Sequence, residues 1–404
     1  MTTTIDNEHK KLNVPNLRFP EFQGEWEEHK LEDITAEIGD GIHATPIYDD
    51  NGTFYFVNGN NISEYGITIT ATTQKVTEEE ALRNNASALN SYSILLSING
   101  TVGNVALYKN EPIMLGKSAC YINVSSNINR NYIFYYLMMP KCQFYFTSEL
   151  TGTTIKNLSL KSVRKTKVLL PNGKEQSKIA RLFDAINERI ATQNKVIEDL
   201  KKLKCAIIEE HYHQSELHKY KVCDLGVPFS VGNLSKEDLS DEGSECVLYG
   251  ELFTTYDGVI NEIKSHTNKI ANMTLSQKGD LLFPSSTTVD AISLISPSVI
   301  DVPNVVLGGD MFGIHIDKNF NAYYISYYIN IIARKKLAVY AKGSTIIHLH
   351  YKDIAKAQFL LPDLNEQDRI AKCIMAEDDK IKVEERILIK LEIQKQYLLR
   401  QMFI

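Results

Sequence analysis

At 404 residues the chain is too long for one ordinary domain and suits two or three. Hydrophobic residues make up 43% and charged residues 23%, the balance of a folded, water-soluble chain. With 44 basic residues against 50 acidic ones, the net charge of −6 excludes wrapping of nucleic acid by bulk positive charge and leaves only local patches for such contacts.

Along the chain, residues 1–14 are polar, lack the apolar run of a secretory leader, and read as an N-terminal tail. Short β-type runs follow at Thr53–Val57, Ile94–Ser97 and Val163–Leu170, broken by Gly, Asn and Pro. Between them lies a Tyr-rich helix candidate whose apolar stretch, Tyr132–Met139, is far too short to span a bilayer. Pro171 ends the last strand, Asn172-Gly173 reads as a turn, and Glu175 is an acid suited to the first turn of a helix. From there to His213 nothing breaks a helix. Six scattered cysteines form no C-x-x-C pair, which argues against a disulfide scaffold or a Cys-built zinc site and fits a reducing, cytoplasmic location.

The sequence repeats itself. Shifted by 191, Gly152–Ile190 falls on Gly343–Ile381 without a gap, and fifteen of the 39 pairs are identical, where about two or three would arise by chance. Lys161/Lys352, Lys165/Lys356, Leu169-Leu170-Pro171 on Leu360-Leu361-Pro362 and Glu175-Gln176 on Glu366-Gln367 are among them. Farther upstream, Leu115-Gly116 sits on Leu307-Gly308, and the second copy has its own Tyr-rich segment at Tyr324–Tyr328 and β-type run at Phe359–Leu361. Each copy therefore holds a mixed domain followed by a long helix. In the first helix Ile179, Phe183, Ile186, Ile190, Ile197 and Leu200 follow a/d spacing with Gln193 on the seam. In the second, Ile370, Ile374, Ile381, Leu388 and Leu391 do so, with Glu377 and Glu384 on the seam. Sustained a/d spacing with charged flanks predicts a coiled coil. A duplicated unit closes most simply about a pseudo-twofold axis, which makes the helices antiparallel. The expected fold is thus α+β: two pseudo-twofold-related mixed α/β domains, over 15–173 and 214–363, joined by long antiparallel coiled-coil helices over 174–213 and 364–404.

These features resemble the specificity subunit of type I restriction–modification systems. The opening Val14-Pro15-Asn16-Leu17-Arg18-Phe19-Pro20-Glu21-Phe22 with Gly24-Glu25-Trp26, the Leu-Pro…Glu-Gln…Ile-Ala junction at 170–180 and 361–371, and Ser97-Ile98-Asn99-Gly100-Thr101-Val102-Gly103 carry the resemblance. The second copy departs at Pro284–Asp290, which lacks glycine. The resemblance implies two target recognition domains, each reading one half of an asymmetric bipartite site in double-stranded DNA. It makes the helices the spacer between half-sites and the dock for two modification subunits. It gives this chain no active site and no cofactor. S-adenosylmethionine, ATP and Mg would sit on the modification and restriction subunits, and no membrane is involved.

The residues bear on the same division. An adenine methyltransferase should show an (Asn/Asp/Ser)-Pro-Pro-(Tyr/Phe) motif to grip a flipped base, and the chain has no Pro-Pro. Gly116-Lys117-Ser118 imitates the end of a P-loop, but Glu111 stands where its first glycine belongs. A coiled-coil scaffold that binds no DNA would explain the helices but not two elaborate domains with differing loops. The strongest basic segment, Gly152–Lys174, includes Lys156, Lys161, Arg164 and Lys165 with no acid. Copy two keeps Lys352 and Lys356 with His348 and His350. Positions identical in both copies suit phosphate, which holds no sequence information; the polar face of a strand would explain the same lysines. Gly41, His43 and Thr45 lie in a turn-like segment, Gly39–Pro46, that suits base reading or simply opens the domain. Thr153 and Thr345 lie in hydroxyl-rich turns suited to phosphate or to capping.

Overall fold

The computed structural model describes residues 13–152 and 156–404. The chain divides into two compact units, one of residues 1–194 with 386–404 and the other of residues 195–385. The division cuts both long helices, Gly173–Gln214 and Leu364–Met402. Each unit therefore holds one globular domain with half of each helix. No helix among the described residues is long and apolar enough to cross a membrane.

In the first unit Thr35–Asp40, Ala119–Val124, Ser93–Ser97 and Val105–Leu107 make an antiparallel sheet in that order. Every residue of the two central strands is buried, which is why they read as unbroken apolar runs rather than alternating ones. One face, with Ile94, Leu96, Cys120 and Ile122, packs into a core with the tyrosine helix Arg130–Met138. The other, with Leu95, Ala119 and Tyr121, covers a smaller core around Val57, Ile113 and Leu115. The second unit builds one five-stranded sheet on Gly226–Ser230, Met311–Ile316, Asp280–Pro284, Ser298–Ile300 and Val259–Ile260, and a second around Ser244–Leu248 and Val306–Gly308.

Each domain closes on its own ends. Glu27–Lys30 pairs antiparallel with Lys167–Leu170, and His218–Lys221 pairs with Gln358–Leu361 in the same register, shifted by the repeat. The segment expected as one strand from Val163 is a short helix, Leu160–Arg164, before that strand. Ser159 caps it by accepting the amide of Ser162, and Val163 turns into the core. Gly173 is not a turn residue but opens the long helix. Asn172 Oδ1 accepts the amide of Glu175 at 3.0 Å.

The repeated glutamine is the latch that joins strand, tyrosine helix and long helix. Gln176 Nε2 donates to the carbonyl of Pro171 at 2.8 Å while its Oε1 accepts the amide of Asn129 at 3.0 Å. Gln367 makes the same two bonds, to Pro362 at 2.8 Å and from Asn321 at 3.0 Å. Asn129 and Asn321 in turn cap the two tyrosine helices. Gln176→Ala and Gln367→Ala leave a carbonyl and an amide unpaired in a buried place. Each should cost about 2 kcal/mol or more, read as a lower denaturant midpoint for the unit that holds it.

Within each unit the helix halves run antiparallel. Phe403 packs on Tyr132, Tyr136 and Phe183 at centroid distances of 5.3, 5.8 and 5.6 Å. In the second unit Lys201 pairs with Glu385 at 2.8 Å and Lys204 with Asp378 at 2.6 Å, and Arg369 donates to His211 at 3.2 Å. A tyrosine from each domain plugs into its own helices. Tyr135 donates to Asp184 at 2.8 Å, and Tyr327 to Asp378 at 2.7 Å. Burial first, and the carboxylate beside it second, hold both phenols well above their ordinary range, so they stay protonated donors.

Candidate nucleic-acid interface

Four backbone segments converge at one end of the first unit. The chain leaving strand 35–40 bridges Ile42 to Gly116, and the amide of Gly41 donates to Ala119 at 2.9 Å. The amide of Ile98 donates to the carbonyl of Ser118 at 2.9 Å. Ser118 Oγ accepts the amide of Gly59 at 2.8 Å and donates to Asn58 at 2.9 Å. Asn99 bridges Asn157, and the amide of Leu158 donates to Ile98 at 2.8 Å. The loop after Gly41, the turn 116–118, the loop 98–101 and the segment 156–158 are thereby pinned side by side. They present exposed His43, Thr45, Gly100, Thr101, Lys117 and Lys156.

The second unit builds the same frame from different residues. Gly232, the repeat partner of Gly41, bridges Gly308, and the amide of Ser285 donates to the carbonyl of Asp310 at 2.7 Å. Ser286 pairs with His348, and the amide of Leu349 donates to Ser285 at 2.9 Å. A groove here is lined by Phe229, Ser230, Ser285, Asp310, His350 and Lys352 among others. The glycine-free stretch 284–290 thus holds the position that the glycine-containing loop holds in the first unit, using Ser285 and Ser286 for the pairing.

The structure sorts the residues that sequence singled out. Gly41 is buried, and a Cβ there would lie 2.3 Å from the carbonyl of Gly116. Its close approach is to the chain's own backbone, which leaves His43 and Thr45 as the exposed groups of that loop. His43 is held by Asp40 at 2.8 Å. Arg164 donates to the carbonyl of Ile38 at 2.7 Å and so ties the short basic helix to the first strand of the sheet. Lys156, Lys161, Lys165, Lys352, Lys356, His348, His350 and Thr345 are exposed. The rings of His348 and His350 stack at 6.2 Å. His350 also stands at the N-terminus of the helix Tyr351–Ile354. Lys342 donates to Asp353 and holds its carboxyl below the ordinary range, so that the one acid of this segment stays ionised and paired. Thr153 lies outside the described residues.

The residues named for the helix seam are mostly inside the units. Ile179, Phe183, Ile190, Gln193, Ile197, Leu200, Ile370, Ile374 and Ile381 are buried; Ile186, Glu377, Glu384, Leu388 and Leu391 are half-buried. Glu377 lies 3.7 Å from Lys380. Ile179, Phe183, Ile186, Ile370 and Ile374 join the cores of their own domains. A different stripe faces outward: Ile389, Ile393 and Tyr397, at 54, 63 and 57% exposure and at i, i+4, i+8 spacing on the second helix.

Sequence reasoning weighed Ser118 only as part of a P-loop imitation and passed over Asp310; these two residues anchor the two frames. The available signal was the repeat itself, since Leu115-Gly116 on Leu307-Gly308 places these turns in register.

A family model, the Type I restriction modification DNA specificity domain, matches residues 23–202 and again 234–393. Two curated relatives come from Methanocaldococcus jannaschii. The putative type I restriction enzyme MjaX specificity subunit is 22% identical over 402 residues, covering 94% of this chain and 92% of its own. The MjaIX specificity subunit is 21% identical, with 84% and 83% covered. Among solved structures, the type I S subunit from M. genitalium aligns with a TM-score of 0.58 at 16% identity, over 97% of this chain and 99% of that one. A chain from a study of assembly and conformational transition of a type I restriction–modification system aligns with a TM-score of 0.55 at 14% identity, over 94% and 97%. At these identities the likeness to solved structures is one of fold.

Proposed function

The chain belongs to the DNA specificity family of type I restriction–modification systems, and from that premise we propose that each of its two units reads one half of an asymmetric bipartite site in double-stranded DNA. One observation carries this reading. The same hydrogen-bonded frame occurs at the loop end of both domains, with His43, Thr45, Thr101, Lys117 and Lys156 exposed in one and Asp310, His348, His350 and Lys352 in the other. A shared frame with different side chains is what two unlike half-sites require. The long helices set the distance between half-sites. The outward Ile389, Ile393 and Tyr397 offer the docking face for modification subunits. The chain itself carries no catalytic step. Methyl transfer from S-adenosylmethionine and the ATP- and Mg-dependent work of restriction fall to the partner subunits.

Methylation mapping in cells that carry this chain with its modification subunits tests the reading. A bipartite motif with a fixed gap is the expected result, and a continuous motif or none would sink it. Lys161 and Lys352, identical in the repeat and exposed in both units, suit phosphate contacts. Lys161→Ala and Lys352→Ala should each weaken the assembled complex about equally on cognate and scrambled DNA. Each should also lower the slope of log affinity against log salt by roughly 0.9. A loss confined to cognate DNA would make them base readers instead. Ile393→Asp should cut co-purification of modification subunits about tenfold or more while leaving the unfolding midpoint of the free chain unchanged.

A further inference from the structure

Asp310 is an exposed acid on the loop end of the second unit. It stands where Ser118 stands in the first, as the shared bond from the residue-98 and residue-285 amides shows. Ser118 spends its hydroxyl on the fold, between Gly59 and Asn58. Asp310 does not: its side chain is exposed, and among the described residues no donor or cation pairs with its carboxylate. Its backbone, in contrast, is pinned. The carbonyl of Asp310 accepts from Ser285 at 2.7 Å, and the amides of Gly309 and Met311 are bonded to Gly232 and Gly309 at 3.1 and 2.9 Å. Gly309 adopts a φ of +89°, a conformation that favours glycine, so the turn is set rigidly and aims one carboxylate outward. Lys352 and His350 line the same groove.

A carboxylate on such a surface is repelled by phosphate, so the backbone of DNA gives it no partner. The donors that duplex DNA offers are base amino groups, and Asp or Glu pairs in the major groove with the N4 amino group of cytosine. We propose that Asp310 is a specificity-determining residue of the second recognition unit, accepting a hydrogen bond from a base amino group, cytosine N4 by preference. This rests on the reading that the loop end faces DNA.

The test uses the assembled complex carrying Asp310→Ala or Asp310→Asn. Methylation mapping should show one position of one half-site relaxed, with discrimination there falling about tenfold or more, and the other half-site unchanged. Binding in vitro adds a readout that a structural role would not move. Asp310→Ala should weaken cognate DNA while scrambled DNA binds as well or better, because a charge that repels phosphate has gone. If cognate and scrambled affinity rise together with no base relaxed, Asp310 is only a surface charge and the proposal falls. If both fall together with a lower unfolding midpoint, it is structural and the proposal falls as well. A wild-type complex that methylates no bipartite motif would instead overturn the functional reading beneath it.

Discussion

Exchanging residues 15–170 for the corresponding domain of a relative, together with 386–404, is expected to change one half of the methylated motif and leave the other as it was. The paired ends make this domain a cassette, because Glu27–Lys30 lies against Lys167–Leu170 and the chain enters and leaves at one place. The tail must travel with it. Leu399, Met402 and Phe403 belong to the core of the first unit, with Phe403 wedged among Tyr132, Tyr136 and Phe183. Moving 15–170 alone should give the same change of half-site only if those aromatic positions are kept. Gap length is tested separately, by adding one heptad between Asn194 and Lys195 and one between Glu385 and Arg386. Both insertions fall between the compact units, so contacts inside each survive. Seven helical residues add about 10.5 Å of rise, near three base pairs at roughly 3.4 Å each. Methylation mapping should show the gap longer by about three base pairs with both half-sites kept. An unchanged gap at full activity would mean that something other than the helices positions the domains.

Arg18→Ala should be among the most destabilising single changes in the chain. Arg18 Nε and Nη2 donate to the two carboxylate oxygens of Glu175, each at 2.8 Å, and the guanidinium also donates to the carbonyls of Gly24 and Gln23 at 2.6 and 3.1 Å. Glu175 is wholly buried and Arg18 is 13% exposed. The paired carboxylate, by hydrogen bond first and by charge as well, raises the pKa of the guanidinium further. Removing the arginine strands a buried carboxylate, at a cost of about 3–5 kcal/mol. Arg18→Met with Glu175→Leu should recover most of the loss, because the cost lies in the unpaired charge rather than in the absence of the pair. The repeat supplies a control. Glu366 is the same residue in the same motif, but 28% exposed and paired with Arg369 on its own helix. Glu366→Ala should cost less than about 1 kcal/mol. An Arg18→Ala cost no larger than that of Glu366→Ala, read by urea unfolding, would mean that Glu175 gains nothing from its burial against Arg18.

Much of the molecule was written locally. The duplication, the long helices after each Leu-Pro, the buried strand around Ile94 and the tyrosine helices follow from hydrophobic period and stop residues, which act within a few turns of chain. The apolar residues of the helix seam are buried or half-buried, as their a/d spacing implies. That some of them also enter the domain cores was not legible, because a/d spacing fixes only the side of the helix that is buried, and Ile179, Phe183, Ile370 and Ile374 pack there with the domains' own tyrosines. The short helix at Leu160 was hidden for a related reason: five residues with buried Val163 and Ser162 fit a strand as well as a helical turn, and the Ser159 cap decides between them. The identical Glu-Gln pairs announced one role and hold two. Gln176 and Gln367 make the same latch, whereas Glu175 meets Arg18 from 157 positions away and Glu366 meets its neighbour. The loop end depended most on tertiary structure. Ser118 and Asp310 become corresponding positions only when segments far apart in sequence exchange backbone hydrogen bonds, and those bonds are made by amides and carbonyls that every residue has. Side-chain identity therefore encoded the frame chiefly at its glycines and at Ser118, while the groups that the frame presents to a partner were set by where the folded backbone brings them.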